Sequence, residues 1–160
     1  MSGNTFSQLE MLRIAVLMEE EGRDFYTNCA ELASGKVKNF FVTASGQEFL
    51  HGVKFQDLYN ELLEKETEPV EYLFDEDITT LLRALIENSV FDRKDKASEI
   101  IKDLKSAAEY ALKSEKLTVE VYENLFENTK NPEIKAILNT ILDEEREHVE
   151  YFSRLLEEID

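Results

Sequence analysis

Apolar residues recur along most of this chain every three or four positions, the rhythm of helices that bury one face. Over 8–33 the stripe runs through Leu9, Leu12, Ala15, Val16, Tyr26, Ala30 and Ala33, and it predicts a first helix. Ser7-Gln8-Leu9-Glu10 has the form of a capping box at its start. Ser34-Gly35 ends it, with Gly35 placed for a left-handed backbone. Residues 1–6 read as a short loose tail. A second helix is predicted over about 37–66, with Phe41, Ala44, Ser45, Phe55, Leu58 and Leu62 on one face. Gly46 and Gly52 lie inside it, each costing about 1 kcal/mol against Ala. Either they make room for a neighbouring helix or a metal, or a long helix simply tolerates them.

A third helix, about 107–129, is predicted to open on a second capping box, Ser106-Ala107-Ala108-Glu109, and to bury Ala108, Ala111, Leu112, Thr118, Val119, Tyr122 and Phe126. The fourth, about 132–158, is N-capped by Asn131 with Pro132 at its first position. Its stripe includes Ile134, Leu138, Ile141, Leu142, Val149, Phe152 and Leu155. Between the second and third helices lies a connection over about 68–105. It holds a helix-ending Pro69, a short helix from Ile78 to Val90, a charged turn at 92–96 and a further helical turn from Glu99 to Leu104. That is far more than a hairpin needs, and enough to carry the chain back along a bundle. No alternating strand pattern appears. The expectation is an all-α chain, an antiparallel four-helix bundle forming one domain over 1–160.

Polar residues interrupt the apolar stripes at a few places, and these interruptions repeat. Both histidines carry a glutamate at −3: Glu48 with His51, and Glu145 with His148. Residues three apart on a helix point the same way. Glu19 and Glu115 break the stripes of the first and third helices in the same manner. Positions 19 and 115 are 96 apart, as are Tyr26 and Tyr122, whereas 48 and 145, and 51 and 148, are 97 apart. The two halves are therefore related hairpins, with the one-residue slip in the loop joining each pair of helices.

Composition narrows the chemistry. The chain has 42% hydrophobic and 33% charged residues, too apolar for disorder, with only 5 Gly and 2 Pro. A net charge of −17 with 18 Lys and Arg excludes a nucleic-acid surface. Cys29 is the single cysteine, so no disulfide framework or tetracysteine centre can form within the chain; it is expected to act as a small buried hydrophobe. Met11 and Met18 read as ordinary members of an apolar face. No signal peptide or membrane-spanning run is visible, and the cytoplasm is the expected compartment.

Four inward carboxylates, Glu19, Glu48, Glu115 and Glu145, would cost several kcal/mol each if buried as bare charges. Two divalent cations neutralise them. Two carboxylates can bridge the ions, two can cap them, and His51 and His148 add one neutral nitrogen each. Iron or manganese suits this oxygen and imidazole set, and zinc is also compatible. A Glu from each of two helices with Glu-x-x-His from two others is the donor pattern of ferritin-like di-iron bundles. Glu144, at −4 from His148, stands as a reserve ligand. Tyr26 and Tyr122 are candidates to line the site as hydrogen-bond donors or electron relays, or else core aromatics whose hydroxyls have found a partner.

At Glu19-x-x-Gly22-x-x-Phe25-Tyr26, Glu48-x-x-His51, Glu115-x-x-Thr118-x-x-Val121-Tyr122 and Glu145-Arg146-Glu147-His148, the chain resembles the rubrerythrin family of the ferritin-like superfamily. The resemblance spans the four main helices and the long crossover. It implies a carboxylate-bridged centre of two iron ions, held by Glu19, Glu48, His51, Glu115, Glu145 and His148, that reduces hydrogen peroxide or dioxygen. The family's tetracysteine rubredoxin centre has no counterpart here, so the implied electron donor is a separate, rubredoxin-type protein. Thr118 stands where many relatives carry a further glutamate, which leaves a six-ligand site. The alternative is an iron- or manganese-binding protein with ferroxidase chemistry rather than turnover. A homodimer is expected from the resemblance and from spare apolar residues such as Phe40, Phe49 and Leu50.

Overall fold

The computed structural model describes residues 5–65, 71–86 and 103–159. Its elements are β1 (Thr5–Ser7), α1 (Gln8–Leu32), α2 (Gly35–Lys65), β2 (Glu71–Leu73), α3 (Glu76–Ile86), α4 (Leu104–Asn128) and α5 (Pro132–Ile159). The predicted break at Pro69 and the charged turn at 92–96 lie outside the described residues, as do residues 87–90 of the expected short helix and most of the helical turn expected from Glu99.

The start of α1 forms as its sequence predicts. Glu10 N–H donates to Ser7 Oγ at 3.1 Å, and Ser7 N–H donates to Glu10 Oε1 at 3.0 Å. Gly35 takes φ +60° at the joint between α1 and α2, a conformation glycine adopts without a Cβ penalty. Asn131 Oδ1 accepts from the N–H groups of Glu133 and Ile134 and starts α5.

Two expectations are corrected. The N-terminal tail is not loose throughout: Thr5–Ser7 pairs antiparallel with Glu71–Leu73, Phe6 opposite Tyr72. Phe6 is fully buried, edge-on to Phe74 and beneath the Arg83 guanidinium. A buried phenylalanine contributes about 1.5–3 kcal/mol. Three-residue strands are too short to show an alternating period, which is why the pattern held no sign of them. The second correction concerns α4, which begins three residues before the expected 107. Asp103 is its N-cap, accepting from Ser106 N–H at 2.8 Å, while Ser106 Oγ accepts from Asp103 N–H at 3.3 Å. Ser106 therefore closes the box, three residues after its cap, instead of being the cap. The earlier start lets Leu104 pack on the apolar cluster at that end of the bundle.

Two apolar clusters fix the direction of each helix. One gathers Leu12 of α1, Phe55 of α2, Leu125 of α4 and Leu138 of α5. The other gathers Cys29 of α1, Phe41 of α2, Ala107 of α4 and Phe152 of α5. Hence α1 and α5 run from the first cluster to the second, and α2 and α4 run the other way. Because α2 finishes where α4 does, the chain must travel the length of the bundle between them. This explains the long crossover, on which β2 and α3 sit. Among the described residues, the protein is an antiparallel four-helix bundle with a short helix on that crossover.

Candidate metal centre

A polar layer lies between the two apolar clusters, at the middle of all four long helices. α1 supplies Glu19, α2 supplies Glu48 and His51, α4 supplies Glu115, and α5 supplies Glu145 and His148. All six are buried, none more than 3% exposed. The apolar residues a turn or two away on each side hold these helices in register, so the interruptions of four separate stripes meet in one place.

The layer resolves into two groups of four. Glu19, Glu48, His51 and Glu145 place donor atoms within 4.8 Å of one another, and so do Glu48, Glu115, Glu145 and His148. Oxygen and nitrogen donors lie about 2.0–2.2 Å from an ion of this size, so atoms sharing one ion stand about 3–4 Å apart. Four of the five observed spacings fall in that range, and the fifth, from His148 to Glu115, is a short hydrogen-bond contact. His51 Nδ1 is 3.2 Å from Glu19 Oε1 and 3.7 Å from Glu145 Oε1. His148 Nδ1 is 2.5 Å from Glu115 Oε2, 3.3 Å from Glu145 Oε1 and 3.6 Å from Glu48 Oε1. Glu48 and Glu145 belong to both groups, one from each Glu-x-x-His pair.

The donor chemistry also fits divalent cations. Glu48 Oε1 and both carboxylate oxygens of Glu145 are buried without a well-formed hydrogen bond among the described residues. A buried carboxylate oxygen lacking a donor costs free energy that a cation between the two groups would recover. Burial, followed by the charges of Glu19, Glu145 and Glu115, pushes the Glu48 carboxyl well above its ordinary value. Burial and Glu145 raise Glu115 to about 7, against the lowering pull of His148 and Tyr26. Burial draws both imidazoles down, but their carboxylate neighbours outweigh it. Glu19 and Glu145, with Glu144, lift His51 to about 9, and Glu115 and Glu145 lift His148 to about 10. The imidazoles thus respond to the negative field that divalent ions would neutralise.

Around this layer the halves cross over. Tyr122 of α4 donates to Glu19 of α1 at 2.5 Å, and Tyr26 of α1 lies beside Glu115 of α4, edge-on to His148. The Tyr122 hydroxyl thus takes the donor role open to it, and Tyr26 stands at the matching place on the other cap. Burial, with the surrounding carboxylates, pushes both phenols well above their usual range. Each histidine turns Nδ1 inward and Nε2 outward. His51 Nε2 meets Glu144 Oε1 at 2.6 Å, and His148 Nε2 meets Gln47 Oε1 at 2.7 Å. Glu144 therefore backs His51 and belongs to neither donor group, contrary to its reading as a reserve ligand for His148. Gln47 escaped the sequence reading, although the repeat places it opposite Glu144, 97 positions away.

Of the two readings of Gly46 and Gly52, simple tolerance in a long helix is the one the geometry favours. A Cβ on Gly46 would meet nothing within 4 Å, and one on Gly52 would make an ordinary 3.6 Å contact with Glu19 Cβ. Gly22 is the position with no room, since a Cβ there would lie 2.5 Å from Glu48 Oε2. Beside it an open cleft of about 190 Å³ separates α1 from α2, with Glu20, Phe49, Val53 and Gln56 toward its rim and Glu19 and Glu48 at its floor. Thr118 donates to the Ser114 carbonyl at 3.0 Å, bonding its own helix. Cys29 is fully buried, and burial lifts its thiol to about 12, as a small core residue requires. Phe40 stacks on Tyr151 at 3.6 Å and is not spare for a partner, whereas Val42, Phe49, Leu50 and Val53 are exposed. Among the described residues, no helix is long and apolar enough to cross a membrane.

The Rubrerythrin family model matches residues 10–156 of the chain. Among solved structures, a crystal structure from Thermotoga maritima described as a ferritin-like diiron-carboxylate protein superposes with a TM-score of 0.73. It is 22% identical, and the match covers 98% of this chain and 99% of that one. No curated protein matches the chain.

Proposed function

The chain belongs to the rubrerythrin family, and on that footing we propose that it is a di-iron oxidoreductase reducing hydrogen peroxide or dioxygen. Glu19, Glu48, His51, Glu115, Glu145 and His148 are the proposed ligands. The observation that carries the proposal is the sharing of Glu48 and Glu145 between two buried four-donor groups. Only an ion pair uses both groups at once, and four carboxylates balance two divalent charges. The neighbouring ions would together supply two electrons to one oxidant.

The remaining work falls to the protein. Glu48 and Glu145, common to both donor groups, would each contribute to holding both ions. Tyr122 restrains Glu19 from the opposite half, and Tyr26 stands beside Glu115. The cleft between α1 and α2 is wide enough for a molecule the size of peroxide and ends on Glu19 and Glu48. Apolar clusters above and below keep bulk water from the layer. One peroxide takes two electrons and two protons to give two waters; a separate, rubredoxin-type protein returns the electrons. Location in the cytoplasm and a homodimer that covers the exposed Val42, Phe49, Leu50 and Val53 belong to the same proposal.

Stopped-flow mixing of the ferrous protein with peroxide tests it. Oxidation of both ions well ahead of free ferrous ion in the same buffer is expected; oxidation no faster than free iron would exclude the function. A second reading, metal handling with ferroxidase chemistry, is favoured by Thr118, which brings no further carboxylate to the six. Under that reading the ferrous protein oxidises rapidly once but shows no sustained peroxide consumption when rubredoxin and a reductant are supplied.

A further inference from the structure

The two donor groups match ligand for ligand. Each has two shared carboxylates, one capping carboxylate and one histidine Nδ1, with a tyrosine beside the cap. The repeat relates Glu19 to Glu115, Tyr26 to Tyr122, Glu48 to Glu145 and His51 to His148. It also relates Gln47 to Glu144, and there the chemistry differs. The outward nitrogen of His51 faces a carboxylate, whereas that of His148 faces an amide oxygen. Both acceptors hold Nε2 as a donor, which turns Nδ1 toward the carboxylates in both rings as the nitrogen that would ligate an ion once it gives up its own proton. A carboxylate pulls harder on that hydrogen than an amide does and makes the ring nitrogen opposite it more basic. It also adds one negative charge beside the His51 group that the His148 group lacks. Arg23, which lines the cleft over Glu19 and Glu48, is paired with Asp24 at 3.2 Å.

We propose that Glu144 makes the His51 group the tighter of the two, so that the first divalent ion is held by Glu19, Glu48, His51 and Glu145 and the second completes the His148 group. Glu144 is a positioning residue, acting through the imidazole it holds. Ordered loading follows from this: a protein carrying one ion holds it on the His51 side, beneath the cleft between α1 and α2, and the second ion is the exchangeable one. The inference rests on the six residues being the ligands, and not on the reaction proposed for them.

Titration of the metal-stripped protein with Co²⁺ alone tests it, read by calorimetry and by proton NMR of the exchangeable imidazole Nε2–H, which the paramagnetic ion shifts. The wild type should show two unequal constants, with the His51 proton shifted at one equivalent. Glu144→Gln keeps the shape and should weaken the first constant by about 10- to 100-fold, the range for removing such an outer partner, while changing the second less. Gln47→Glu should tighten the second constant and leave the first. The double exchange should reverse the order, so that the His148 proton moves first. Equal constants in the wild type, an equal loss at both steps in Glu144→Gln, or a His148 signal at one equivalent would overturn the ordered loading. If the wild type took up no Co²⁺, the ligand assignment itself would fall. Gln47→Glu reads as a gain, so a folding defect cannot imitate its expected result.

Discussion

Tyr122 on α4 donates a 2.5 Å hydrogen bond to Glu19 on α1, across the bundle and 103 residues away in sequence. Its counterpart in the repeat, Tyr26 on α1, lies beside Glu115 on α4. Each half of the chain thus sets a phenol against the capping carboxylate of the other. Tyr26→Phe and Tyr122→Phe should each fold and bind two ions, because neither phenol is a proposed ligand. Each should lose about 1–3 kcal/mol in urea unfolding, the cost of removing a hydrogen bond to a carboxylate in a buried layer. Unequal losses, with one variant indistinguishable from wild type, would show that the hydroxyls do not act as a symmetric pair.

Sharing distinguishes Glu48 and Glu145 from Glu19 and Glu115. Removing a shared carboxylate takes one donor from both groups, whereas removing a cap takes one from a single group. Glu48→Gln should therefore reduce bound metal toward zero, while Glu19→Gln should retain about one ion per chain. The stability of the chelated protein should move the other way. Burial and neighbouring charges make ionised Glu48 unfavourable in the fold, so a neutral amide of the same shape should raise stability at neutral pH. Elemental analysis and urea unfolding of the chelated variants check both halves. A Glu48→Gln protein that keeps two ions, or unfolds more easily without metal, contradicts the assignment.

The signs of the proton shifts set the pH behaviour. Glu48 and Glu115 lie above their ordinary 4.5, so their protonated forms favour the fold. That contribution is complete below 4.5 and fades as pH rises, through about 7 for Glu115. His51 and His148 lie above 6.5, so their charged forms also favour the fold, fully below 6.5 and no longer above about 9 and about 10. Both pairs make the chelated protein less stable as pH rises. Metal needs the carboxylates ionised and the imidazoles neutral, so uptake must release protons and tighten with pH. Calorimetry in buffers of different ionisation enthalpy should show that release, and the melting-temperature gain on adding metal should grow from about pH 6 to about pH 8. A gain that shrank over that range would mean the cluster is not the binding site.

How much of this was legible in the sequence depended on the range of each interaction. Helical period, Ser7-Glu10 and Asn131-Pro132 act within a few residues, so α1 and the start of α5 could be read directly. The six buried donors could be read because a carboxylate inside an apolar stripe is an exception, and the exceptions repeat. The pairing of Phe6 with Tyr72 joins positions 66 residues apart through strands of three residues, which leave no period. Asp103 was hidden by a rival box three residues on, since Ser106-Ala107-Ala108-Glu109 satisfies the same rule. Gln47 and Glu144 sit on the half-exposed edges of their helices, where polar residues are ordinary. Only the direction of two imidazole rings picks them out.

Glycine provides the sharpest separation between local propensity and site geometry. Gly46 and Gly22 both lie inside helices, where replacement by Ala should gain about 0.5–1 kcal/mol from propensity alone. At Gly46 nothing opposes the new methyl group, so Gly46→Ala should be stabilising by about that amount and leave metal binding unchanged. At Gly22 the methyl carbon would stand 2.5 Å from Glu48 Oε2, well inside contact distance. The carboxylate can yield only by rotating away from the position it shares between the two groups. Gly22→Ala should therefore fold with near-normal stability while its affinity for both ions falls, because Glu48 belongs to both. Circular dichroism melting curves with and without metal separate the two effects: a melting temperature near wild type without metal, and a reduced gain with it. Should Gly22→Ala bind metal as tightly as Gly46→Ala, Glu48 would not need the space that Gly22 leaves.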